Sequence, residues 1–95
     1  MNVVEAVLSL VKTIPPGKVM SYGAVADYLG LPSARLVGQL MAAHGSSVPW
    51  HRVVAANGRL VPGHEQENMR RLQEEGVLFR TERVDMRRYA WYPQG

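Results

Sequence analysis

The sequence predicts a small, mainly α-helical domain of winged-helix-like type, built on a helix-turn-helix with a short β-hairpin. The 95 residues are 46% hydrophobic and 20% charged, the balance of one globular domain, so we expect residues 1–95 to form a single domain. Two short helical segments, each preceded by a serine, flank a glycine-containing turn. An Asn-Gly pair between two apolar runs predicts the hairpin.

The first helix is predicted over residues 2–13, with Asn2 as its N-cap. Apolar side chains recur there at the spacing of one helix face: Val3, Val7, Leu10 and Val11. The Ile-Pro-Pro-Gly run at 14–17 then ends the helix and turns the chain.

The helix-turn-helix follows this turn. Ser21 is the candidate N-cap of its first helix, and Gly30 suits the left-handed position after the helix end. Ser33 then caps a second helix that runs to about Ala43. Such a pair is found in DNA-binding proteins, but it is also an ordinary packing unit.

The second half of the chain carries a hairpin, a helix and a tail. We predict a hairpin over residues 53–61, with Asn57 and Gly58 as the two positive-φ residues of a type I′ turn. A helix from about residue 64 to 75 is ended by Gly76, with Met69 and Leu72 on its buried side. The tail at 84–91 is expected to be a short strand or extended segment.

Charge favours an anionic partner. Lys plus Arg exceed Asp plus Glu by 11 to 8, and all but two of these cations are arginines, whose planar forks match phosphates and base edges. A solvated basic surface explains the same charge equally well.

Composition also excludes some classes of protein. The absence of cysteine excludes disulfides, thiolate metal sites and thiol catalysis, and it fits a reducing cytoplasm. No apolar run approaches the roughly 20 residues of a membrane span, and the N-terminus lacks the basic stretch of a signal peptide. We therefore expect a cytoplasmic protein with no membrane partner, no cofactor and no metal.

The second helix of the pair has a face of small residues, because Ala34, Gly38 and Ala42 recur every four positions. A helix that reads the major groove would carry long polar side chains there, whereas this face has only Arg35 and Gln39 near it. The pattern suits a helix pressed against the minor groove with one arginine between bases. Close packing of the helix inside the protein would produce the same pattern.

The run Ser-Val-Pro-Trp-His-Arg-Val-Val at 47–54 gives the most specific signal. Together with Ser21-Tyr22-Gly23, Ala34-Arg35-Leu36-Val37-Gly38 and Asn57-Gly58, it resembles the C-terminal domain of O6-alkylguanine-DNA alkyltransferases, whose fold it implies. Those proteins carry Pro-Cys-His-Arg-Val, and the cysteine accepts the alkyl group. Trp50 in the cysteine position is the mark of the alkyltransferase-like proteins.

The resemblance implies a set of DNA contacts. Arg35 corresponds to the arginine that fills the space of an extruded nucleotide, and Tyr22 to the tyrosine that rotates the adjacent phosphate. From its residue type alone, Tyr22 is also explained as a half-buried core aromatic. The implied DNA-binding residues are Ser21, Tyr22, Ser33, Ala34, Arg35, Gly38 and Gln39.

The resemblance also implies a pocket for the alkylated base, in which the indole of Trp50 packs against the base. Its implied lining is Tyr22, Met41, Pro49, Trp50, His51 and Val53. In alkyltransferases, the pair that matches His51 and Glu75 helps to deprotonate the thiol; with no thiol here, we expect a structural remnant. We expect Arg52 to be a structural ion-pairing residue.

The function thus implied is recognition without chemistry. A monomer would bind O6-alkylguanine in double-stranded DNA, flip the base into the pocket and flag it for nucleotide excision repair proteins, associating with the nucleoid when on DNA. The alternatives are a sequence-dependent helix-turn-helix regulator, a protein-interaction module that kept the fold, and an enzyme using His51 as a general base. Glycosylases need a carboxylate or lysine at the base, and zinc deaminases need cysteine ligands that are absent here.

Overall fold

A computed structural model describes residues 1–94 of the chain. Five α-helices and two short strands form the fold, and 3₁₀ turns at Gly45–Ser47 and Trp50–Arg52 connect the two halves. In chain order the elements are α1 Val3–Thr13, β1 Met20–Ser21, α2 Tyr22–Leu29, α3 Ala34–His44, β2 Val53–Val54, α4 Glu65–Glu74 and α5 Met86–Tyr89. The mainly helical fold with a helix-turn-helix, α2 and α3, is as predicted.

The predicted N-caps set the starts of the first three helices. Asn2 Oδ1 accepts from the Glu5 N–H at 2.8 Å, and the Ser21 and Ser33 hydroxyls accept from the N–H groups three residues on, at 2.9 Å and 3.2 Å. Gly30 ends α2 with φ 70°, the left-handed position predicted for it. In α1, the side chain of Val3 is 44% exposed because the first turn extends past the core.

The predicted hairpin over 53–61 is wrong. β2 pairs in parallel with β1, with Met20 opposite Val53. β2 therefore pairs with a segment far back in the chain and not with the segment that follows the Asn-Gly turn. Only Ala55 and Arg59 remain paired across the turn, through Ala55 N–H to the Arg59 carbonyl at 3.0 Å. Of the two predicted turn residues, Gly58 has positive φ, at 85°, and Asn57 does not. A three-residue loop therefore replaces the type I′ turn.

The tail also differs from the prediction. α5 forms at 86–89 because Asp85 caps it, its carboxylate accepting from the Arg87 N–H at 3.1 Å. Ala90 beyond it pairs with Val19 beside the small sheet. α4 lies within one residue of its prediction and is followed by Gly76 with φ 96°.

The buried residues form two clusters on either side of the β1–β2 pair. One lies under α1, α2 and α3; the other lies between β2, α4 and the C-terminal segment, with Leu72 and Val77 at its centre. The 3₁₀ turn that carries Trp50 joins the two halves and contacts α4. Within residues 1–94, each helix is too short or too polar to cross a membrane.

Candidate DNA interface and base pocket

The small face of α3 lies on the outside of the molecule. Ala34 and Ala42 are exposed, and a side chain added at Gly38 would meet no atom within 4 Å. The opposite side of the helix supplies the core, where Val37 and Met41 are buried. The small residues therefore leave space outside the protein, which removes the alternative of close packing inside it.

Two of the predicted DNA contacts extend from this bare face. Arg35, in the first turn of α3, and Gln39 are both exposed. Within residues 1–94, no carboxylate pairs with Arg35, so its guanidinium is available to a ligand. Ser33 lies exposed at the N-terminus of α3, and the hydroxyl of Ser21 caps α2.

A cavity of about 600 Å³ opens beside the bare face. Tyr22, Met41 and Trp50, all predicted for the base pocket, line it together, and so does Gly38 from the DNA-binding set. The volume is within the range of small-molecule pockets, roughly 300–1,000 Å³. The surface of α3 and the cavity are therefore continuous.

The other predicted pocket residues are placed behind the cavity rather than in its lining. His51 is 6% exposed and Val53 fully buried, because both side chains point into the core from the turn that carries Trp50. Pro49 shapes that turn: its φ of −71° and ψ of 68° are those of an inverse γ-turn, closed by Trp50 N–H to the Val48 carbonyl at 2.6 Å. These three residues flank or underlie Trp50 and do not line the cavity.

Tyr22 is the first residue of α2 and is half-buried at the edge of the cavity. Burial raises the pKa of its phenol above the ordinary value, so the hydroxyl is neutral and remains a hydrogen-bond donor at physiological pH. In this position, it combines a packed ring with an accessible polar tip.

Glu75 holds the Trp50 turn from the end of α4. Its Oε2 accepts from His51 Nε2 at 2.8 Å and from Arg52 Nη2 at 2.7 Å, and its Oε1 accepts from the Gly17 N–H at 3.0 Å. Burial favours the protonated acid, but the hydrogen bonds from Arg52, His51 and Gly17 outweigh burial and lower the pKa of Glu75 to about 2. Arg52 also donates to the Ile14 carbonyl at 2.9 Å, which ties the turn to α1.

Asn68 is a site residue that the sequence reasoning missed. Its side chain is fully buried; its Oδ1 accepts from the Val61 N–H at 3.0 Å and its Nδ2 donates to the His51 carbonyl at 2.9 Å. The amide thus joins the Trp50 turn to the loop that closes the cavity. The available signal was the spacing of four between Asn68 and the buried Leu72, which places a polar residue on the apolar face of α4.

Six further lining residues were also not predicted. Ala42 belongs to the small face of α3, whereas the others come from the turn after α3 and the loop before α4. They are Ala42, Gly45, Ser46, Val61, Pro62 and His64. Within residues 1–94, no group of three acidic or histidine side chains could hold a metal ion.

Residues 2–77 match the family described as the DNA-binding domain of 6-O-methylguanine DNA methyltransferase. Alkyltransferase-like protein 1 of Schizosaccharomyces pombe is 41% identical over 92 residues, which cover 84% of this chain and 85% of that protein. The DNA base-flipping protein of Escherichia coli is 38% identical over 93 residues, covering 92% of this chain and 72% of that protein.

Solved structures give the same picture. S. pombe Atl1 in complex with damaged DNA containing O6-carboxymethylguanine superposes with a TM-score of 0.83 at 37% identity, covering 95% of this chain and 94% of that one. The O6-methylguanine methyltransferase of Mycobacterium tuberculosis gives a TM-score of 0.66 at 34% identity, covering 79% of this chain and 48% of that chain.

Proposed function

We infer the function of this chain from its family: it belongs to the O6-methylguanine-DNA methyltransferase DNA-binding domain family, as an alkyltransferase-like member, and we propose that it binds O6-alkylguanine in duplex DNA without repairing it. The observation that carries the proposal is the continuity between the bare outer face of α3 and a cavity walled by Trp50. A relative of this fold binds DNA containing O6-carboxymethylguanine.

DNA binding begins at α3. With no side chain at Gly38 and only methyl groups at Ala34 and Ala42, the helix can approach the floor of the minor groove closely. Arg35 then enters the base stack and occupies the space of the flipped nucleotide. Tyr22 lines the same cavity as α3, and its neutral hydroxyl donates to the adjacent phosphate.

The flipped base enters the cavity and packs against Trp50. Stacking on an aromatic side chain contributes about 1–3 kcal/mol per base. Extrusion costs a few kcal/mol and least for a damaged base that already pairs poorly, so the balance favours the alkylated guanine over an ordinary one. Met41 supplies a flexible apolar wall for alkyl groups of different shape.

We propose that the side chains lining the pocket do not remove the alkyl group. The methyltransferases of the family act through a cysteine; Trp50 stands in that position here, and the 95 residues contain no cysteine. The imidazole of His51 is bound to Glu75 through Nε2 and lies behind the cavity, outside its lining. We propose that the stable complex is instead a signal to nucleotide excision repair proteins.

A gel-shift titration with one duplex in two forms, containing guanine or O6-methylguanine, tests the proposal when the recovered DNA is then analysed. We expect tighter binding to the methylated duplex, with the methyl group still present afterwards. Equal binding would leave a general DNA-binding domain, and loss of the methyl group or the base would show an enzyme.

Two variants locate the site. Trp50→Ala should lower affinity for the methylated duplex by roughly 5- to 150-fold, the equivalent of one lost stack, with little effect on the unmodified duplex. Arg35→Ala should weaken binding to the methylated duplex far more than Arg87→Ala, which removes the same charge from exposed α5. Equal effects of the two arginine substitutions would reduce the role of Arg35 to charge.

The repair step needs its own test. Purified nucleotide excision repair damage-recognition proteins should bind the methylated duplex better after this protein is added, and Trp50→Ala should abolish the gain. Recruitment that ignores the lesion would contradict the signalling role while leaving lesion binding intact.

A further inference from the structure

The indole of Trp50 carries a cation on its ring. The guanidinium carbon of Arg71, from α4, lies 5.1 Å from the ring centroid of Trp50. This distance is within the range of a cation–π interaction, in which the positive charge is attracted to the electron-rich face of the ring. Arg71 itself does not line the cavity, so it acts on the pocket only through Trp50.

A carboxylate fixes Arg71 in this position. Arg71 Nε donates to Glu67 Oε2 at 2.7 Å, one helical turn earlier in α4. Hydrogen bonds from Arg70 and Arg71 lower the pKa of Glu67 to about 2, so the carboxylate is ionised at physiological pH. The guanidinium is therefore held between Glu67 and the indole.

Two imidazole rings also contact the indole of Trp50 edge-on. The imidazole of His64 packs against the indole at 5.8 Å with an interplanar angle of 62°, and that of His51 at 6.2 Å and 89°. The backbone of the 3₁₀ turn fixes where the Trp50 side chain starts, and contacts with its neighbours select among the staggered rotamers of its two torsions. Among these contacts, Arg71 supplies the cation.

We propose that Arg71 is a positioning residue, which holds the indole of Trp50 as the wall of the base pocket. Preference for alkylated DNA then depends on the half-buried Glu67–Arg71 pair of α4. The inference rests on the proposed function, because it assigns a role within the same pocket. Its physical basis is preorganisation: an aromatic wall already in place binds a flipped base without first having to order its own side chain.

The chain offers a matched control for this proposal. Arg70 precedes Arg71, pairs with the same Glu67 carboxylate at 2.6 Å, and makes no contact with Trp50. Arg70→Gln and Arg71→Gln therefore remove the same charge from the same helix surface. Only Arg71→Gln removes the cation from the indole, and Arg71→Lys keeps a cation within reach.

The first measurement is the ratio of affinities for the O6-methylguanine and guanine forms of one duplex. Arg71→Gln should lower this ratio by about 2- to 10-fold, the range of an exposed to partly buried cation–π contact. Arg70→Gln should leave the ratio unchanged, and Arg71→Lys should restore part of it. An Arg71→Gln ratio equal to that of Arg70→Gln overturns the proposal.

The second measurement is ¹⁹F NMR of the full chain labelled with 5-fluorotryptophan, in which Trp50→Phe assigns the two resonances. Arg71→Gln should shift and broaden the Trp50 resonance and leave that of Trp91 in place, whereas Arg70→Gln should move neither. A Trp50 resonance that is the same in all variants overturns the positioning role. If the unmutated protein shows no lesion preference, the proposed function fails, and the NMR comparison still decides whether Arg71 holds Trp50.

Discussion

Removing the amide of Asn68 should destabilise the fold by disconnecting the Trp50 turn from the loop that closes the pocket. In Asn68→Ala, the His51 carbonyl loses its partner in a buried site and the Val61 N–H loses its partner in a part-buried one. Leaving a buried polar group unpaired costs about 1–3 kcal/mol, so two such groups cost about 2–6 kcal/mol. The better helix propensity of alanine returns a few tenths of a kcal/mol. We expect a net loss of about 2–5 kcal/mol.

Urea denaturation followed by tryptophan fluorescence measures this loss directly. Thermal unfolding should agree, since each kcal/mol corresponds to about 4–8 °C of Tm in a chain of this size. Gln73→Ala is the control because Gln73 is an exposed amide on the same helix, and it should change the stability by less than about 0.5 kcal/mol. Equal stabilities of the two variants would refute the view that Asn68 links turn and loop.

Three further predictions concern acid stability, the loop at Gly58 and the α3 face. The pKa of Glu75 falls from 4.5 to about 2 on folding. The ionised carboxylate therefore stabilises the fold above pH 4.5, and this stabilisation is lost as the pH falls towards 2. Glu75→Gln should remove the corresponding fall of Tm between these two pH values. Gly58→Ala adds a Cβ against the Val84 backbone at φ 85°, so it should lower the unfolding free energy by about 2 kcal/mol or more, and by more than Gly63→Ala, where φ is 82° but the space is open. Gly38→Leu should leave the Tm unchanged or higher, since a Cβ at this position meets no atom within 4 Å and leucine is a better helix former than glycine. It should weaken binding to both duplexes at least about tenfold in a gel shift, because the side chain blocks close approach to the groove. A Gly38→Leu protein that still binds DNA would place the groove contact elsewhere.

The features that the sequence predicted well are local. Ser21 and Ser33 fix helix starts through hydrogen bonds that reach only three residues, so the spacing in the chain contains the whole interaction. The partner of Val53 is Met20, 33 positions earlier, as the register shows. An Asn-Gly pair predicted a local hairpin. Both valines of β2 are instead buried by pairing with the distant parallel strand β1.

The same distinction applies to the site. Trp50, Tyr22 and Arg35 were predicted from the sequence because they match family motifs at fixed spacing. Asn68 and Arg71 were missed, because their partners are set by how α4 packs against the Trp50 turn, and no spacing rule connects a helix residue to a turn about twenty positions earlier. Physical proximity there follows from tertiary packing alone.

The packing of α4 also explains how the turn that carries Trp50 keeps its shape. Glu75 secures the turn through His51 and Arg52, Asn68 secures it through the backbone, and Arg71 contacts the indole itself. These contacts shape a pocket wall whether or not a thiol needs activation. In the proposed function, the bare face of α3 meets DNA and α4 holds the Trp50 wall of the pocket, so substitutions on the two helices should separate two properties. Changes on the bare face of α3 should alter affinity for every duplex, whereas changes at Asn68 or Arg71 should alter the ratio between damaged and undamaged DNA.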